Sequence, residues 1–255
     1  SEGKRTRANK WAATALLARV YLYTRNWADA EKQASMLLDN NSLFGLPRNL
    51  AEVFTPSSNE AIWQLYNNDN GVTEYATQVI PNPSDPIPTF VLTDELKNAF
   101  ESGDSRIASW TATITYQGTT YTYPTKYKSR VQNANEEYLT ILRLAEQFLI
   151  RAEARAQQNN ISGAKADIFS VRNRANLGET SANDKDALLL AIEKERQVEL
   201  NTEWGHRWFD LRRTSRINEV LSAAKSAWTA TDALYPVPQI QRNNNPSLSQ
   251  NLGYN

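Results

Sequence analysis

A helical pair that returns at a fixed offset constrains this chain most. From Thr6 to Tyr23, apolar residues recur at helical spacing, with Trp11, Ala15, Leu16, Ala18, Val20 and Leu22. Asn26 is placed to cap a second helix from Trp27 to about Leu38, with Asp29 three residues on and Ala30, Ala34 and Leu37 inward. The arrangement returns between Tyr138 and Ala175. There Ile141, Ala145, Phe148, Ala152 and Ala156 form one stripe, Asn159-Asn160 ends the helix, and Ser162 is set to cap the next. Ala18 and Ala152 are 134 residues apart, as are Ala30 and Ala164. Small side chains at such positions let two helices approach closely, and antiparallel pairs of this kind stack into a superhelical scaffold.

The spacing of Ala18, Tyr21 and Ala30 matches a tetratricopeptide (TPR) unit. The fold expected is therefore mainly α, a TPR-like helical-repeat superhelix. Residues 1–39 form one pair, and 138–255 hold the second pair, further helices and an extended C-terminal tail. Residues 40–137 differ, being rich in Pro, Asn, Ser, Thr, Gly and Tyr. Glu60 to Tyr66 reads as a strand, and Thr93 starts a short helix with Leu96 and Phe100 inward. Pro81, Pro83, Pro86 and Pro88 make a stiff extended connection. Ala112 to Tyr123 alternates β-branched and aromatic residues around Gln117-Gly118, a hairpin signal. A long irregular insert on a rigid scaffold is where function is expected.

Within that insert, aromatic faces suit the apolar faces of sugar rings, and short polar side chains suit their hydroxyls. Trp110, Tyr75, Tyr121 and Trp63 are the aromatic candidates, and Asn68 and Asp69 the polar ones. The competing role for each aromatic is packing, since large aromatics dominate core energetics. Trp63 and Tyr66 sit at odd spacing on their strand, so at most one of them faces a ligand.

Catalytic readings find little support. Glu199 and Glu203 share a helix face at i,i+4, whereas glycosidase carboxyls flank a bond across a cleft at about 5–9.5 Å. Ion pairs with Arg196 and Arg207 are the expected role of those acids. His206 is the only histidine, so a Ser-His-Asp or His-based metal site would have to use it, and it stands at a helix start. With Gly71 as the invariant glycine, an EF-hand loop would begin at Tyr66 and end at Thr77, neither a carboxylate. No phosphate-cradling glycine motif occurs. The expectation is no enzyme, no cofactor and no metal. Lys+Arg and Asp+Glu are equal at 28 each, so nothing points to nucleic acid. There is no cysteine and no apolar run near the ~20 residues that span a membrane. The abrupt opening SEGKRTRANK reads as a piece whose beginning is missing.

The most charged and aromatic stretch is Asp186 to Thr214. Asn183 is placed to cap its first helix, Trp204-Gly205 breaks it, and a second helix begins near His206. Arg207 and Asp210 share a face at i,i+3. One more helix follows from Arg216 to Ala227, and Pro236 and Pro238 then predict an extended tail. The string ERQVELNTEWGHRWFDLRR resembles the C-terminal signature of the SusD/RagB family through Glu195, Arg196, Glu199, Leu200, Gly205, Arg207, Trp208, Phe209, Asp210, Leu211 and Arg213. Further blocks are similar in family order. They are Arg143-x-Ala145-Glu146 with Ala152-Glu153-Ala154, Val171-Arg172-x-Arg174-Ala175, Gly103-Asp104-Ser105-Arg106, and the closing Tyr235-Pro236-Val237-Pro238.

The resemblance implies a non-catalytic outer-membrane, cell-surface lipoprotein of Bacteroidota-type bacteria. It would bind a glycan and pass it to a SusC-like TonB-dependent transporter, meeting the membrane only through a lipid anchor outside this chain. It also implies that Arg196, Glu199, Glu203, Arg207 and Asp210 make the fold and do not bind ligand. The alternative function is a helical protein-docking scaffold, or a binder of peptide or another nutrient.

Overall fold

The computed structural model describes residues 5–67, 72–131 and 136–254. Asn68 and Asp69 lie outside the described residues. The first helical pair is α1 (Lys10–Tyr23) and α2 (Trp27–Leu38). The second is α6 (Leu144–Gln157) and α7 (Ile161–Arg174). Their first residues, Lys10 and Leu144, then Trp27 and Ile161, keep the 134-residue offset. So do the turns: Arg25 and Asn159 both adopt positive φ, at 59° and 62°, and Asn26 and Asn160 are the helix caps that follow. The repeat is therefore built from turn chemistry as well as from small residues. Ala18, Ala30, Ala152 and Ala164 are all fully buried.

The pairs stack. Ala18, Leu22, Ala30 and Ala34 pack with Ile150 and Ala154, which places α1 and α2 against α6. On its other side α6 meets α7 and α8 (Lys185–Glu199) through Ala152, Ala156, Ala164, Ile168, Leu188 and Ile192. The first helix starts later than its apolar pattern suggests, because Asn9 accepts from the backbone N–H groups of Trp11 and Ala12. Leu16 and Val20 prove exposed, so the buried stripe is the alanine one.

Two caps differ from expectation. Asp184, not Asn183, accepts from Ala187 N–H at 2.9 Å to open α8. Asn160, not Ser162, accepts from Gly163 N–H at 3.0 Å to open α7. In both helices the accepting oxygen belongs to the residue three before the donor, the usual N-cap geometry. Asn160→Ala is accordingly expected to lower stability by about 1 kcal/mol, and Ser162→Ala to change it far less. Chemical denaturation of the two variants checks this.

Between the pairs, β1 (Ala61–Leu65) runs antiparallel to β4 (Leu139–Arg143). The second unit thus opens with a strand, and Ile141, expected on a helix, lies in β4. Three short helices follow β1: α3 (Glu74–Val79), α4 (Asp94–Ala99) and α5 (Ser105–Trp110). The hairpin β2 (Thr111–Tyr116) and β3 (Thr119–Pro124) closes through Gln117 and Gly118, at φ 48° and 79°. Two successive positive φ values are the type I′ signature that suits strand twist.

The contacts divide the chain after Trp204. The first compact unit holds both helical pairs, the insert and α8. The second, Gly205–Asn255, holds α9 (His206–Arg213), α10 (Ile217–Ala224) and α11 (Gln239–Asn244). Within it Trp208 packs on Trp228 at 6.1 Å and on Tyr235 at 5.1 Å. Asp210 is buried and accepts from Arg213 at 2.8 Å. The tail was expected to be extended, but α11 forms directly after Pro238. A proline at a helix entrance removes an N–H that would have no intrahelical partner, so it starts a helix as readily as it stops one.

Candidate functional site

Among the described residues of the first unit, a buried ion-pair network and an open pocket in the insert bring polar side chains together. The network centres on Glu199, at the C-terminal end of α8 and with no side-chain exposure. Arg106 Nη1 donates to Glu199 at 2.9 Å and to Glu195 at 2.6 Å, while its Nη2 donates to Asp104 at 2.7 Å. Arg143 Nη1 donates to Glu199 at 2.6 Å and to Glu60 at 2.7 Å, and its Nε donates to Glu203 at 2.8 Å. Arg174 donates to Glu60 and Glu199. Lys126 Nζ donates to Glu203 at 2.5 Å and to the carbonyls of Glu199 and Asn201 at 2.8 and 2.9 Å.

These cations arrive from a short helix, a strand end, the segment after the hairpin and α7. The short helix α5, β4, the segment after β3 and α7 are thereby tied to the C-terminal end of α8. Burial alone would raise the Glu199 carboxyl, but Arg174, Arg143, Arg106 and Lys126 hold it well below the usual carboxylate range. Glu203 is likewise lowered against its burial, by Arg143 and Lys126. Burial pushes the Lys126 ammonium down to about 8, against the attraction of Glu203. Arg196, whose side chain was expected to serve this network, is buried beside these acids on α8. Arg106, Lys126, Arg143 and Arg174, which meet Glu199 or Glu203, come from elsewhere in the chain. The carboxylates of this network are buried and ion-paired, which suits a role in holding the fold together.

The aromatic candidates fall mostly into the same interior. Trp110 is 1% exposed. Its indole N–H donates to Leu50 O at 3.2 Å, Phe54 meets it edge-on at 5.6 Å, and Lys126 Nζ lies 4.7 Å from its ring. An indole enclosed on every side has no face to offer a sugar. Trp110 is therefore corrected from a stacking platform to the aromatic wall of the ion-pair network. Tyr75 packs on Tyr127 at 5.1 Å in the same cluster, and its hydroxyl donates to Thr202 at 2.7 Å. Burial pushes that phenol up to about 12. Trp63 packs, half-buried, against a different cluster built on Ala12, Leu37, Phe44 and Leu142. Tyr121 sits half-exposed on β3 opposite Ile114. The structure brings Trp110 and Tyr75 together but does not join them to Trp63 or Tyr121.

The open pocket lies a few residues away and none of these four lines it. It has a volume of about 450 Å³ and is built by the end of α3, the proline segment and Arg130. Phe90 and Ile87 are half-exposed in its lining, beside Gln78, Asn82 and Asp85. The prolines give this segment its shape. Asn82 Oδ1 accepts from Ser84 N–H at 3.1 Å, and Asp85 N–H donates to Asn82 O at 2.9 Å, which folds the segment back on itself. Arg130 donates to the carbonyls of Thr77 and Ile80, clamping the other wall. Leu92 N–H donates to Thr122 O at 2.8 Å and fixes the segment's far end to the hairpin. The result is an aromatic face beside a carboxylate with no partner among the described residues and two carboxamides, an arrangement suited to a ring with an apolar face and hydroxyl edges. Sequence reasoning missed Phe90, Asp85, Asn82, Gln78 and Arg130. The Asn-Pro-Ser-Asp-Pro run was the available signal, since it marks a turn and not a straight connection.

Among the described residues no group of three or more His, Cys, Asp or Glu side chains is placed to hold a metal ion. Among the described residues no helix is long and apolar enough to cross a membrane.

Stacked helical pairs with a loop-built pocket define a TPR-like helical-repeat protein. The chain belongs to the SusD family, whose family model matches residues 61–254. Similar solved structures include a SusD superfamily protein from Bacteroides vulgatus ATCC 8482, at 18% identity and TM-score 0.77 over 98% of this chain and 64% of that one. The surface glycan-binding protein A of Bacteroides uniformis follows at 22% identity and TM-score 0.72, over 98% of this chain and 62% of that one. NanU of B. fragilis is similar at 21% identity and TM-score 0.72, over 99% and 64%. This chain thus spans less than two thirds of the length of each. No curated protein sequence matches it significantly.

Proposed function

We propose that this chain is a non-catalytic glycan-binding part of a cell-surface protein, and that the insert pocket holds the glycan. The observation that carries the reading is the half-exposed Phe90 ring in a pocket edged by Asp85, Asn82 and Gln78. Family membership supports it, and one similar structure is named a surface glycan-binding protein. A binding role also fits the acids: Glu60, Glu195, Glu199 and Glu203 are all engaged by buried cations and have none of the freedom a general acid or base requires. In this reading the protein works at the outer-membrane surface, held there by a lipid anchor, and delivers its glycan to a SusC-like TonB-dependent transporter.

Calorimetric titration with a panel of neutral oligosaccharides tests the proposal. Saturable binding is expected, and Phe90→Ala should weaken it about tenfold, or about 1.4 kcal/mol, without moving the melting temperature. Silence across a broad panel, or binding indifferent to Phe90→Ala, would remove the glycan from this pocket and favour a peptide ligand or a docking role.

A further inference from the structure

We infer a second ligand site, on the far side of the ion-pair network, for a small carboxylate that also carries hydroxyl groups. An open cavity of about 450 Å³ lies between the connection after α2 and the C-terminal end of α7, lined by Leu46, Arg48, Ser170, Asn173, Arg174 and Asn176. Among the described residues no carboxylate lines it, although the interior just behind is crowded with them. Arg48 is exposed and has no ion-pair partner among the described residues. Arg174 is already balanced by Glu60 and Glu199, so Arg48 supplies the uncompensated positive charge. A guanidinium with free donors matches a carboxylate in two parallel hydrogen bonds.

The remaining lining selects hydroxyls. The carboxamides of Asn173 and Asn176 both donate and accept, and neither has a hydrogen-bond partner among the described residues. Ser170 Oγ donates to Ala166 O at 3.0 Å, which leaves its oxygen to accept. Arg174 Nε–H, buried in the wall, has no acceptor among the described residues. Such a wall favours an oxygen-rich occupant over an apolar one.

One feature of the location opposes an anion: the C-terminal end of a helix carries partial negative charge on its free carbonyls. Here three of those carbonyls are already taken. Leu177 N–H donates to Arg172 O at 2.9 Å, Asn176 N–H to Asn173 O at 3.2 Å, and Ser105 N–H to Ala175 O at 3.0 Å. The αL turn at Asn176, with φ 62°, makes the first two possible. The local field is therefore set by Arg48.

Heteronuclear NMR titration of the intact chain with sodium D-glucuronate, with D-glucose as the uncharged control, tests the inference. Glucuronate should shift resonances of Arg48, Ser170, Asn173 and Asn176 saturably, and glucose should not. Arg48→Gln should weaken glucuronate about tenfold or more, since it removes the charge-assisted pair. As Arg48 is exposed, its melting temperature should not change, and a fall there would be read against the charge-reversed Arg48→Glu variant, which must abolish binding. Phe90→Ala should leave glucuronate binding untouched, so this site and the insert pocket fail or stand separately. Glucuronate binding indifferent to Arg48→Gln, or no saturation at all, overturns the proposal. Equal competition by inorganic phosphate also overturns it, by reducing the site to a general anion contact.

Discussion

Glu199→Ala should lower the melting temperature by about 6–20 °C, one of the two largest effects of any single substitution described here. The carboxylate is fully buried and bonded to Arg106, Arg143 and Arg174 at once. Its removal leaves three buried guanidinium groups short of negative charge, and breaking a buried pair in this way costs about 3–5 kcal/mol. For a chain of this size each kcal/mol shifts the midpoint by roughly 2–4 °C. Circular dichroism melting of Glu199→Ala beside Glu199→Gln separates lost charge from lost volume, and the Gln variant should recover only a minor part.

Acid titration reports the same network. The folded values of Glu199 and Glu203 lie below the ordinary 4.5, so each adds stability above that value and loses it as pH falls through the folded value. Glu195 works the other way, since burial raises its carboxyl despite Arg106. Net acid destabilisation below about pH 4.5 is expected, and it should be shallower in Glu199→Gln, which no longer takes up that proton.

Trp110→Ala should cost about 3–5 kcal/mol, the range for emptying a large aromatic from a core. The cavity would open between Phe54, Leu50 and Tyr127, and would also strip Lys126 of the ring 4.7 Å away. Because the indole is enclosed, the variant should weaken glycan binding only in proportion to its unfolded fraction. A Trp110→Phe variant that restores most of the stability, with unchanged affinity, fits this account. A stable Trp110→Phe that loses binding selectively would return the residue to the ligand.

The scaffold was readable because its information is local. Alanine spacing, the Asn-Asn turn and the capping asparagines lie within a few residues of what they specify, and the offset of 134 repeats them. The strand Leu139–Arg143 was not readable. LTILRLAEQFLI is one apolar run, and what makes its first part a strand is a partner at Ala61–Leu65 far along the chain. Glu199 was equally visible, yet its cations stand 25 to 93 residues away, in Arg174 and Arg106. Trp110 was misjudged for the same reason. Its neighbours in sequence are hairpin residues, whereas its burial comes from Leu50, Phe54 and Lys126. The pocket needed both a proline segment and Arg130, whose clamp on Thr77 and Ile80 spans about fifty residues.

Hydrogen exchange with and without the tightest oligosaccharide of the neutral panel tests most directly whether a glycan rests on Phe90 in the insert pocket. The expected result is ligand-dependent protection confined to residues 77–92 and the neighbourhood of Arg130, with the helical pairs unchanged. Protection elsewhere, with 77–92 exchanging as before, would contradict it.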